Sequence, residues 1–302
     1  MKNTLLLFLA TIYFNTSICQ SLKPKDAKNI LNSEDSMKHV VSTILKGITF
    51  EDRRKSDSIF TKLLVRSLKT SYSYNYRFST LDNISILYPP DSSFRIFTWQ
   101  LMVDDNQFVH RGAIQMKTAD GSLQLIPLFD KSNSFENPED SVCSNSNWIG
   151  AIYYNIVQKK YNNKNYYSLL GFDEHGLATN RKIIDVLYFE NNKAIFGGDF
   201  FVTPSEGPNP NKRNRIVIEY KKNAAPRLNY DSDMNMIIKE HLISENNMPN
   251  DKSTLIGDGD YEGFFWKDGK WIFISKVFYN ITPQGINPAA SPAKDEKVKI
   301  KN

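Results

Sequence analysis

Residues 94–117 read FRIFTWQLMVDDNQFVHRGAIQMK, and the fold is decided there. Two apolar-rich runs, 94–103 and 108–117, flank Asp104-Asp105-Asn106. In the second run Phe108, His110, Gly112, Ile114 and Met116 occupy alternate positions, so they share one face of an extended chain. Short polar residues between two such runs favour a tight reversal, and the segment reads as an antiparallel hairpin whose His110 points into or along the core.

The same grammar continues in both directions from there. Turn-forming clusters such as Pro89-Pro90-Asp91, Asp120-Gly121, Asn162-Asn163, Asn191-Asn192 and Asp268-Gly269 separate further short runs. Strands are predicted near 72–78, 84–88, 122–129, 148–160, 166–173, 181–189, 194–202, 215–221, 234–241, 261–267 and 270–280. No connection has the length of a helical crossover, which argues against a parallel sheet. Three longer loops, 130–147, 203–214 and 244–257, are where sites sit on strand scaffolds. No fixed-period repeat supports a propeller.

Upstream the period is helical. Met37, Val40, Val41, Ile44 and Leu45 lie on one helix face, with Ser33 as the predicted N-cap and Gly47 past the end; Ile59, Phe60, Leu63, Leu64 and Leu68 form a second stripe behind Ser56 or Asp57. The expected fold class is therefore mainly β, α+β through two short N-terminal helices between about 33 and 70. An antiparallel meander forms a sandwich or open barrel, with the helices packed on it. Residues 20–282 read as one domain, and 283–302, rich in Pro, Lys and Ala, as a disordered tail.

Residues 1–19 have the form of a signal peptide. Lys2 precedes an apolar run from Leu5 to Phe14, and Ser17 and Cys19 are small residues at −3 and −1, placing cleavage before Gln20. The run is about half of the roughly 20 residues a membrane span needs. Lipidation through Cys19 is the alternative, but the bulky Ile18 stands where such signals carry a small residue. The expected destination is the periplasm or cell exterior, with no transmembrane segment left after cleavage. Of the 2 Cys, only Cys143 would remain, in a polar stretch that reads as a spare surface thiol.

The 38 Lys+Arg stand against 33 Asp+Glu, a net +5 spread along 302 residues and not gathered into a stripe. A nucleic-acid partner is excluded on that pattern. The sequence has no Gly-x-Ser-x-Gly elbow, no His-Glu-x-x-His, no P-loop, no dinucleotide fingerprint and no Cys-x-x-Cys, so no cofactor is expected.

Weaker constellations remain. Asp173-Glu174-His175 joins two strands and presents two carboxylates and an imidazole suited to general acid–base work, against the plainer reading of a solvated hairpin loop. Asp185 interrupts an apolar strand face, where an ionised carboxylate needs a partner; an ion pair competes with a catalytic role. Asp258, Asp260 and Glu262 alternate before Gly263 as in the start of a calcium loop, but the twelfth position is Gly269, so a polar turn leading into a hairpin is preferred. Tyr154, Tyr166 and Trp266 are the candidate rings for a stacking platform, in competition with burial. His39 on the helix and His241 at a strand end complete no metal set with the others.

At Tyr166–Asp173, Lys182–Leu187, Ile218–Tyr220 and Tyr261–Phe264 the chain resembles uncharacterised exported β-rich proteins of Bacteroidota-type Gram-negative bacteria. The resemblance implies a bacterial, exported protein and brings no activity. The leading expectation is an exported non-catalytic binding or structural protein, with a glycan or a protein as ligand. The alternative is a secreted hydrolase acting on glycan or peptide, which needs two carboxylates converging about 5 to 10 Å apart.

Overall fold

The computed structural model describes residues 21–205 and 211–278. The leader, Cys19 and the tail lie outside the described residues. The chain opens with two helices, α1 (Pro24–Lys46) and α2 (Phe50–Leu68). Ile30, Glu34, Met37, Val41 and Ile44 recur every three to four residues on the buried face of α1. The helix starts earlier than Ser33 suggests: Pro24 opens it, and Ser33 lies inside with its hydroxyl donating to Asn29 O at 3.1 Å. In α2 the cap is Thr49, which accepts from Asp52 N; Ser56 and Asp57 lie within the helix, buried.

A first sheet follows, in the order β1 (Ser85–Leu87), β2 (Phe94–Asp104), β3 (Gln107–Met116) and β4 (Gln124–Phe129). The opening hairpin of the sequence is β2–β3, with Phe94 opposite Met116 and Asp104 opposite Gln107. The predicted strand at 72–78 is instead a short turn at Ser73–Asn75 with Tyr72 in a left-handed conformation.

The second sheet is built from β5 (Cys143–Ser144), β6 (Ile152–Tyr161), β7 (Lys164–Asp173), β8 (Thr179–Glu190) and β9 (Lys193–Phe196), in the order β5-β9-β8-β7-β6. Two of its hairpins turn on Asn162-Asn163 and Asn191-Asn192, all with φ between +47° and +60°, the left-handed pair that a two-residue turn demands. The third sheet contains β10 (Phe201–Thr203), β11 (Asn211–Arg213), β13 (Leu228–Asp231), β14 (Met236–Ser244), β15 (Leu255–Lys267) and β16 (Lys270–Ile274). Between β11 and β13, β12 (Ile216–Lys221) leaves to pair with β8 of the second sheet.

Two findings depart from the simple meander. The strand predicted over 194–202 breaks at Gly197-Gly198, both at positive φ, and the chain crosses there from the second sheet to the third. Beyond the break β10 pairs with β16 in parallel, against the antiparallel expectation.

The layers stack as helices, first sheet, second sheet, third sheet, with no closed barrel. Phe60, Leu64, Met37 and Val41 pack on Phe97, Trp99 and Leu101. Phe94, Ile96 and Ile114 meet Tyr167, Leu169, Ile183 and Leu187 of the second sheet. On the opposite face Leu170, Ile184 and Val186 meet Ile237, Phe264 and Trp271. The second sheet is thus covered on both sides, which is why β7 and β8 carry unbroken apolar runs. Among the described residues no helix is long and apolar enough to cross a membrane.

Candidate functional site

A groove of about 500 Å³ runs between β12 and the paired strands β14 and β15. One wall is the consecutive stretch Ile216–Glu219 with Glu139 from the long loop before β5; the other carries Lys239, His241, Leu242, Leu255 and Glu262. Alternation places the groups: Lys239 on β14 stands opposite Glu262 on β15, and their side chains bond directly. Arg181 on β8 stands opposite Glu219 on β12, and both its Nε and Nη2 donate to Glu219 Oε2 at 2.8 Å. His241 Nδ1 lies 2.7 Å from Asp258 Oδ2.

The acids of the groove are held in opposite senses. Partial burial pushes Glu219 up, but the Thr179 hydroxyl and the Arg181 guanidinium outweigh it and hold the carboxyl below its ordinary value. Burial dominates at Glu139, whose carboxyl is raised, although it accepts Val217 N–H at 3.0 Å.

Behind one end of the groove lies a chain of acids and imidazoles. Asp130 Oδ2 accepts the backbone N–H of His110 at 2.7 Å and stands 3.2 Å from its Nδ1. His110 Nε2 is 3.6 Å from Asp173 Oδ1 and has no hydrogen-bond partner. Asp173 Oδ2 is 3.7 Å from His175 Nδ1, and His175 Nε2 is 4.0 Å from Glu219 Oε1, which opens on the groove. Burial pushes Asp130 up, but His110 and the Ser132 hydroxyl overcome this and bring it down to about 2. Burial wins at Asp173, which is raised against the pull of His110, His175 and Arg181. His175 is lowered by burial and by Arg181.

The candidates from the sequence fall on both sides of this arrangement. Asp173 and His175 belong to it, and Asp173 is buried, not solvated as a simple hairpin loop requires. Glu174 turns away, bonding Gln100 Nε2 at 2.8 Å and Lys222 Nζ at 3.1 Å. Asp185 lies fully buried on the face toward the first sheet, with Arg215 Nε 3.3 Å from it. Arg215 also fills the loop carbonyls of Pro138 and Ser141 and approaches Cys143 Sγ at 3.6 Å. Cys143 is therefore a buried thiol, raised by burial, and not a surface one.

Asp258, Asp260 and Glu262 all fall within β15, but only Glu262 is in the ladder, opposite Lys239 on β14; residues 258–260 bulge out of it around Gly259 (φ +87°), where Asp258 accepts the Asp260 N–H and meets His241 Nδ1. Among the described residues no group of three His, Cys, Asp or Glu is gathered to hold a metal ion. Tyr166 packs edge-on with Phe200 and Trp266 edge-on with Trp271, while Tyr166 meets Tyr188 and Trp266 at a tilt. Tyr154 is partly exposed and donates to Leu228 O at 3.0 Å.

Sequence reasoning missed Asp130, Arg181, Glu139, Lys239 and above all Glu219. The last had a usable signal: Ile216, Ile218 and Tyr220 alternate as a core face, which puts Val217 and Glu219 on the other. Comparison with family models, with curated proteins and with solved structures gave no match for this chain.

Proposed function

We propose that the chain is an exported, non-catalytic binding protein whose ligand lies in the groove between β12 and β14–β15. The observation that carries this reading is a groove of ligand-sized volume whose charged walls are pre-paired: Arg181 with Glu219, Lys239 with Glu262, His241 with Asp258. Groups locked to each other in ion pairs are poor proton donors and nucleophiles, and they are good rigid partners for a polar ligand. Titration with a panel of peptides and oligosaccharides, followed by amide NMR, tests it. Shifts gathered at Arg181, Glu219, His241 and Glu262, with the ligand returned intact, are the expected result; shifts confined to other surfaces sink the reading.

One observation favours a second reading, a hydrolase of glycan or peptide. His175, its basicity lowered by burial and by Arg181, stands between the carboxyl groups of Asp173 and Glu219. Cleavage of a panel member that disappears in His175→Ala would replace the binding reading with this one.

Export rests on the Lys2 charge and the Leu5–Phe14 run, and agrees with the resemblance to exported proteins of Bacteroidota-type bacteria. N-terminal sequencing of the product recovered outside the cytoplasm should begin at Gln20; an intact Met1 on a cytoplasmic product refutes it.

A further inference from the structure

We propose that the groove takes an extended peptide, which adds as a strand to the outer edge of β12. The inference rests on the reading of this groove as the ligand site, and it names the ligand's class.

Among the described residues β12 pairs with β8 alone, so one of its edges carries no strand from them. The bonds at its two ends fix which groups face outward. Lys222 N–H donates inward, to Ala178 O at 2.9 Å, whereas Val217 N–H donates away from β8, to the Glu139 carboxylate at 3.0 Å. In an antiparallel ladder the hydrogen-bonding direction alternates along the strand. Ile216, Ile218 and Tyr220 therefore bond β8, and Val217, Glu219 and Lys221 turn their backbone groups to the groove. Lys221 C=O accepts from Ala224 N–H at 2.9 Å. Val217 C=O, Glu219 N–H and C=O, and Lys221 N–H have no hydrogen-bond partner among the described residues. These groups span about 13 Å at roughly 3.3 Å per residue.

An unpaired edge is ordinarily blunted or covered, because it templates association. Here, among the described residues, the backbone edge itself is capped at one end only, although the 252–254 turn lies alongside it and the Lys221 side chain at the far end meets Glu245. The Glu139 carboxylate accepts from Val217 N–H where a peptide carbonyl would, and the rest of the edge opens into the groove beneath Leu242 and Leu255. Main-chain bonds to such an edge supply affinity, and alternate side chains meet the walls. A saccharide has no regular row of donors and acceptors to match this spacing. The walls add a charge preference. Arg181 and Lys239 are neutralised by Glu219 and Glu262, while Lys252, exposed at the rim, has no ion-pair partner among the described residues. The peptide that fits is extended, with apolar residues toward Leu242 and Leu255 and an acidic residue toward Lys252.

The test is selection from a random linear octapeptide library displayed on phage, panned against the full chain, followed by synthesis of the enriched peptides. Enriched peptides should alternate apolar and polar residues and carry an acid. Bound, they should slow hydrogen exchange at the Glu219 and Lys221 amides at least tenfold. Lys221→Pro, which removes an outward N–H and no ladder bond, should weaken binding at least tenfold, while Lys221→Ala should change it less than about twofold. Retained slow exchange at Ile218 and Tyr220 certifies that the proline variant is folded; if it is not, protection at Glu219 and Lys221 in the wild-type chain decides.

The inference falls if no peptide is enriched, or if enriched peptides leave those two amides exchanging freely. It also falls if sedimentation shows a dimer that Lys221→Pro dissociates, which would make a second copy the occupant. An oligosaccharide that shifts Arg181, His241 and Glu262 while no peptide is selected would remove the peptide and leave the groove reading intact.

Discussion

Asp130 has two roles at the start of the buried chain: it accepts from the His110 backbone and it faces the imidazole Nδ1. Its folded value near 2, against 3.8 for an ordinary Asp, makes it a stability determinant with a definite pH signature. A carboxyl with a depressed folded pKa stabilises fully above its unfolded value and loses that contribution as pH falls through the folded one. The shift corresponds to about 2 kcal/mol. Asp130→Asn should therefore cost about 2 kcal/mol at pH 7, with the gap to wild type narrowing between pH 4 and pH 2. Urea midpoints at pH 7, 5 and 3 measure this, and a gap that stays constant across the series contradicts the assignment. Asp185 is the contrasting case: burial raises its carboxyl despite Arg215, so that pair fixes loop 138–143 against β8 more than it adds stability.

At the scale of elements, what the sequence made legible is what depends on neighbours within a few residues. The β2–β3 hairpin follows from alternation, and the Asn162-Asn163 and Asn191-Asn192 turns follow from asparagine's tolerance of left-handed backbone. The start of α1 was obscured because Ser33 has the chemistry of a cap, yet the stripe extends back to Ile30 and Pro24 suits the first turn. The seven residues from Tyr72 were misread because their aromatics suit strands, while their packing comes from helix and sheet partners far along the chain. The groove was hidden for the same reason. Lys239–Glu262 and Arg181–Glu219 each join different strands, and His110–Asp130 joins β3 to the residue just past β4, so only a known register tells which charges meet. Asp173 and His175 were visible as residue types, but their link to Asp130 and Glu219 was not.

The whole molecule hinges on the second sheet, which is a wall common to two cores. Leu169 and Leu170 are adjacent on β7 and fully buried, yet Leu169 belongs to the core shared with the first sheet and Leu170 to the core shared with the third. Because both cores are anchored on the same strands, loosening one face should loosen the other, and the layers should unfold as one unit. Leu170→Ala is expected to cost about 2–5 kcal/mol, the range for truncating a buried leucine. In native-state hydrogen exchange, the slowest amides of β3, in the first sheet, should then accelerate by the same factor as those of β15, in the third. Acceleration confined to β15 would mean that the third sheet opens alone. The groove and the β12 edge, which lie between the second and third sheets, would then sit on a movable joint and not on a rigid frame.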